Sequence, residues 1–208
     1  MEKTHIKYCL PIAKNSRDLV LKTINEHIHE YDYFEVWFDQ VKDINDEFVS
    51  QLQQLLQDRL IIKMPGKWVD KFAASPVLVD LDITAIKKSH SNINLITSYH
   101  NYKETPTDQD LAKIVEQMSA YKPRIYKIAT NCEKPQDAVR LLNLLLTLKQ
   151  QGLKCIVIGM GELGKLTRVA GVLWGNEFTF APLVESEKTA EGQLTKSQLE
   201  LILQELNR

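Results

Sequence analysis

Short apolar runs alternate along the chain with longer stretches in which apolar residues recur every three or four positions. The short runs are KYCLPI (7–12), YFEVWF (33–38), RLIIKM (59–64), VLVDLDI (77–83), NLITSYH (94–100), IYKIAT (125–130), KCIVIGM (154–160) and FTFAPL (178–183). Their length and β-branched or aromatic content predict strands. Between most of them lie helical patterns, such as Leu111, Ile114, Val115 and Met118, or Val139, Leu142, Leu145, Leu146 and Lys149 with Gly152 as a stop. Eight strands alternating with helices predict an α/β fold with a parallel sheet closed into a compact (β/α)8 TIM barrel. One connection breaks the rhythm. PGKWVDKFAASP (65–76) has too few residues for a helix and two loops, so the connection after the third strand is expected to be shortened. No repeat or Gly/Ser linker divides the chain, which predicts a single TIM-barrel domain over residues 1–208.

Composition narrows the class. With 44% hydrophobic residues, 25% charged residues and a net charge of -1, the chain lacks the charge field of a nucleic-acid binder and the composition of a disordered one. No window approaches the roughly 18 to 20 apolar residues of a membrane span. The opening MEKTHIKYCLPIAKNS has no leader-like apolar core, so a cytoplasmic location is expected, with no membrane or nucleic-acid partner. Cys9, Cys132 and Cys155 are odd in number and widely spaced, which fits small buried hydrophobes better than a disulfide framework or a zinc site.

In a TIM barrel the polar residues at the C-terminal strand ends carry the chemistry. Here these are Glu35 and Asp39 around the second strand, Lys63 ending the third, Asp80 and Asp82 on the fourth, Ser98 and His100 on the fifth, Lys127 in the sixth and Met160 ending the seventh. Lys127, between Tyr126 and Ile128, is either an edge lysine reaching solvent or an amine aimed into the barrel mouth. In the mouth, desolvation and nearby cations would lower its pKa and make it a carbonyl nucleophile. His100 alone reads as a strand-end residue or a catalyst. Next to Lys127 on the adjacent strand, it could move a proton beside an iminium.

SYHNYKETP, YKIATNCEKPQDAVRLL, GMGELGKLTRVAGVLWGNEFTFAPL and EGQLTKSQL resemble the type I 3-dehydroquinate dehydratase family. KYCLPI and YFEVWFDQ are similar, more weakly, to that family's first two strands. The resemblance implies a Schiff-base lyase, or dehydroquinase, converting 3-dehydroquinate to 3-dehydroshikimate and water in the shikimate pathway. It implies a small-molecule substrate, no cofactor, no metal and a homodimer. Residue by residue, it makes Lys127 the Schiff-base lysine and His100 the general acid/base. It further makes Arg168, Thr189 and Gln193 the carboxylate-binding set, Glu35 a hydroxyl ligand, and Met160 and Phe180 apolar pocket residues.

The chain also departs from the pattern. The arginine that follows the second strand's glutamate is missing, since Glu35 is followed by Val36 and Trp37. The third strand ends in IIKMPGKW, lacking both the family's arginine, for which Lys63 stands in, and the glutamate that orients the catalytic histidine. Asp82 falls at an acidic position of the family's fourth strand, where it either positions Lys127 or His100 or serves as a structural carboxylate. These departures keep two other readings open: a lyase or aldolase acting on another keto acid, and a non-catalytic binding protein.

Overall fold

The computed structural model describes residues 6–86 and 92–206; the first five residues and the last two, to which the expectations of a missing leader and of one domain extend, lie outside it. Each expected strand forms: β1 (Tyr8–Ile12), β2 (Tyr33–Trp37), β3 (Leu60–Lys63), β4 (Leu78–Asp82), β5 (Asn94–Asn101), β6 (Ile125–Asn131), β7 (Cys155–Met160) and β8 (Thr179–Phe180). They pair in parallel in the order β7-β6-β5-β4-β3-β2-β1-β8. The seam between β7 and β8 is bridged by the Glu177 N–H, 3.1 Å from the Cys155 carbonyl. At the same seam the Asn176 amide receives the Val157 N–H at 2.8 Å and donates to the Val157 carbonyl at 3.2 Å. β8 is much shorter than FTFAPL: the Ala181 N–H still donates to the Cys9 carbonyl at 2.9 Å, and the pairing with β1 stops there, at Pro182.

The helices are α1 (Arg17–His27), α2 (Asp46–Leu56), α3 (Asp108–Ser119), α4 (Pro135–Gln150), α5 (Lys165–Trp174) and α6 (Lys196–Leu206). Side chains that accept from helical N–H groups start three of them: Ser16 from Leu19, Asn45 from Phe48 and Thr107 from Asp110. None of the helices among the described residues is long and apolar enough to cross a membrane.

Strand alternation divides the core in two. Outward-facing Leu10, Ile12, Phe34, Val36, Ile62 and Val79 pack under the first helices, and Ile128 and Val157 pack under α3 and α4. Inward-facing Cys9, Ile61, Leu78, Ile96, Ile125, Ile156 and Phe178 fill the barrel floor. Burying each such side chain stabilises the fold by about 1.5–3 kcal/mol.

The α4 face differs from the expected one. Val139 and Leu146 are exposed at 53% and 40%, whereas Ala138, Leu141, Leu142, Leu145 and Leu148 are buried. So many leucines leave two apolar stripes on this helix, and docking on β6 and β7 selects one.

After β3 the chain makes only a short 3-10 helix, Gly66–Phe72, before β4, with Phe72 fully buried under it. Two non-glycine residues that flank this trimmed corner, Met64 and Ala74, adopt left-handed backbone, with φ of 54° and 56°.

Candidate active site

At the C-terminal end of the barrel a pocket is lined by Glu35, Trp37, Lys63, His100, Tyr102, Lys127, Ala129, Ile158, Met160, Arg168, Phe180, Thr189, Ala190 and Gln193. The eight residues to which the family resemblance gives a role, and Lys63 with them, therefore border one space. Asp39 does not; it is exposed and accepts from Gln40. Ser98 is buried beneath the pocket, its Oγ without a partner among the described residues.

Lys127 is inward-facing by the alternation of β6 and is 4% exposed. Its Nζ donates to Asp80 Oδ2 at 2.6 Å and to Glu35 Oε1 at 3.0 Å, and it lies 4.3 Å from the centre of the Phe180 ring. Burial pulls the amine toward neutrality. The Asp80 and Glu35 carboxylates outweigh it and hold the ammonium form well above the ordinary lysine range. The sequence argument from desolvation and neighbouring cations is thus reversed, because two strands deliver carboxylates to the same point. Burial likewise opposes ionisation of Asp80, but Lys127, then Lys63, keep its carboxyl below the usual range. Asp80 Oδ1 has no partner among the described residues.

Glu35 is anchored on both sides, with Oε2 accepting from the Trp37 indole N–H at 2.8 Å. Trp37 escaped the sequence reading although strand alternation puts it on the same face as Glu35, two residues earlier. Lys63 rests over the Trp37 ring, its Nζ 4.1 Å from the centroid, and its pKa is lowered by burial first and by Lys127 second. Tyr102, on the loop after β5, had no periodic signal; its ring stacks at 12° to that of His100 with centroids 6.1 Å apart.

Ser98 is in register with Lys127, so His100 lies on the neighbouring strand two residues further toward the mouth. At about 3.3 Å per residue that places it about 6.6 Å higher along the strand. Its Nδ1 is 2.9 Å from Asp82 Oδ2. Asp82 is therefore the carboxylate in contact with His100, in the absence of one at the end of β3.

Across the mouth, Arg168 projects from α5 and is 3% exposed. Burial lowers its pKa to about 10, which leaves the guanidinium charged near neutrality. Its Nη2 makes a weak contact to the Glu191 carbonyl at 3.5 Å, and Nε has no partner among the described residues. A buried, underused guanidinium fits an anion with two oxygens.

Thr189 and Gln193 close on each other, the Thr189 N–H donating to Gln193 Oε1 at 2.8 Å and Gln193 Nε2 donating to Thr189 Oγ1 at 3.1 Å. Their loop reaches the site because Gly192, at φ +74°, lies so near β7 that a Cβ there would sit 2.2 Å from the Gly161 oxygen. Among the described residues, no group of three or more His, Cys, Asp or Glu side chains has metal-holding geometry.

A 3-dehydroquinate dehydratase of Methanocaldococcus jannaschii is 27% identical over 211 residues, covering 89% of this chain and 92% of its own. One of Dehalococcoides mccartyi is 31% identical over 141 residues; that match covers 65% of this chain and 63% of the relative, so there the chain spans less than two thirds of the relative's length. The fold is shared with the crystal structure of 3-dehydroquinate dehydratase from Geobacillus kaustophilus, at a TM-score of 0.84 and 20% identity over 98% of this chain and 92% of that one. The profile of type I 3-dehydroquinase matches residues 69–208, which takes in His100, Lys127, Met160, Arg168, Phe180, Thr189 and Gln193 and leaves Glu35 and Lys63 outside. Since that segment is more than half of the 208 residues and contains the lysine, histidine and arginine of the pocket, the chain belongs to the type I 3-dehydroquinase family.

Proposed function

We propose that the protein is a 3-dehydroquinate dehydratase working through a Schiff base on Lys127. The observation that carries this reading is the convergence of Lys127, His100 and the underused Arg168 guanidinium on one pocket. An ammonium is not a nucleophile, so the Lys127 proton must first leave, and the 2.6 Å contact to Asp80 is its shortest path. The free amine adds to the substrate ketone, and loss of water gives an iminium that draws electrons from the adjacent carbon. His100 removes the proton there and returns it to the hydroxyl that departs from the next carbon as water. Water then hydrolyses the iminium, releasing 3-dehydroshikimate and restoring the amine. Arg168, with Thr189 and Gln193, holds the substrate carboxylate so that the reacting hydrogen faces His100. Glu35, Lys63, Met160 and Phe180 form the remaining walls. The shikimate pathway, a cytoplasmic location and a homodimer follow in this reading from the family resemblance.

The test follows enone absorbance on mixing with 3-dehydroquinate, together with mass spectrometry after borohydride. Product and an adduct on Lys127, both lost in Lys127→Ala, are expected. An adduct without product would instead favour another keto acid, for which Trp37 in place of the arginine is the motivating difference. The absence of both would sink the proposal.

A further inference from the structure

The end of β3 offers no carboxylate to the catalytic histidine, since Lys63 is followed by Met64 and Pro65. The end of β4 does. Asp82 Oδ2 meets His100 Nδ1 at 2.9 Å, and Asp82 Oδ1 accepts from the Thr84 N–H at 3.0 Å and the Thr84 hydroxyl at 2.6 Å. The turn carrying Thr84 is itself tied down, with Ala85 N–H on the Asp82 carbonyl and Ile83 N–H on the Ser98 carbonyl, both at 2.8 Å. Ser98 is the register partner of Asp82 and lies two residues before His100 on the same strand, so carboxylate and imidazole are fixed to one another by the backbone.

We infer that Asp82, braced by Thr84, is a positioning residue that fixes the tautomer and orientation of His100. This inference rests on the dehydratase reading for its kinetic consequence only. An ionised carboxylate can only accept, so Nδ1 must carry the hydrogen and the Nε2 lone pair is the one left for the pocket. Tyr102 lies nearly parallel to the ring, at 12° with centroids 6.1 Å apart. Asp82 touches neither Lys127 nor the carboxylate-binding set. Its task is distinct from holding Lys127: it prepares the proton transfers made by His100.

An asparagine at position 82 presents an amide N–H to Nδ1, which favours the tautomer with the hydrogen on Nε2, where it blocks proton removal. Asp82→Asn should lower kcat about 10²-fold or more, within the range that general-base catalysis contributes. KM should stay within about threefold and the borohydride adduct on Lys127 should still form, because that lysine keeps Asp80 and Glu35. Thr84→Val should cost about three- to tenfold in kcat and Thr84→Ser should restore it, as expected for loss of one hydrogen bond through a second residue.

Long-range ¹H–¹⁵N spectra of His100 give a reading independent of turnover. The neutral ring should carry its hydrogen on Nδ1 in the native protein and on Nε2 in Asp82→Asn. A native ring protonated on Nε2, or an Asp82→Asn protein with unchanged tautomer and kcat within threefold, overturns the inference. Should Asp82→Asn fail to fold, Thr84→Val decides, with unchanged kcat and ring spectrum counting against it. A native protein that shows the Nδ1 tautomer yet turns over no 3-dehydroquinate loses the substrate assignment and keeps the positioning role.

Discussion

Replacing Lys127 with methionine keeps the length and apolar stem of the side chain and deletes its charge. Glu35 and Asp80, each 2% exposed, then share the barrel mouth without the cation that both bond, and Lys63 remains as the cation that acts on Asp80 without a hydrogen bond to it. At an effective dielectric of about 20 the contacts at 3.0 and 2.6 Å are each worth roughly 5–6 kcal/mol before desolvation, which offsets much of this. Losing one partner of a buried pair costs about 3–5 kcal/mol. Glu35 retains its Trp37 bond, but Asp80 has nothing on its other oxygen among the described residues, which points to the middle of that range. The melting temperature should fall by roughly 8–16 °C for a chain of this size.

In the native protein Asp80 titrates below its ordinary value and Lys127 above its own. Their contribution is therefore fully present between pH 5 and 7. In Lys127→Met the buried Asp80 carboxyl has its folded pKa raised above the unfolded one. The cost is then present at pH 7 and shrinks as pH falls through that raised value, because the folded state takes up the proton. Urea unfolding of both proteins at pH 7 and pH 5 measures this. A loss below about 1 kcal/mol at pH 7, or an equal loss at both, would refute the charge argument.

Other consequences are equally open to measurement. Arg168→Lys should raise KM for 3-dehydroquinate at least about tenfold, because an ammonium cannot fork to two oxygens, and Arg168→Ala should abolish the thermal stabilisation that substrate gives in a melting assay. Gly164→Ala should destabilise by several kcal/mol in denaturant titration, since the added Cβ would lie 2.3 Å from the Gly159 carbonyl carbon, a backbone atom that cannot swing aside. Asp82, whose burial is outweighed by bonds from His100 and Thr84 to give a pKa of about 2 against an ordinary 3.8, stabilises the fold above the unfolded value. Its contribution, about 1–2 kcal/mol, should be lost between pH 4 and 2, and acid titration of Asp82→Asn should lack that component.

Strand and helix alternation, the inward face of each strand and the trimmed corner after β3 were legible because they depend on local chain properties. A run such as IYKIAT sets its own backbone preference, and the two-residue period then assigns Lys127 the same face as Ile125 and Ala129. Helix faces were less legible where leucine is abundant, as in α4, since only the surface beneath decides which stripe is buried. The polar contacts of the site were not local at all. Glu35 and Asp80 reach Lys127 across 92 and 47 positions of sequence, so the protonation state of that amine depends on the register of four neighbouring strands. The same holds for Asp82 against His100 and for the loop that Gly192 lays against β7. The sequence by itself determined which elements form and which residues face inward. Only the tertiary structure decided which charges meet within 3 Å, because barrel closure and register set those distances and no local preference encodes them.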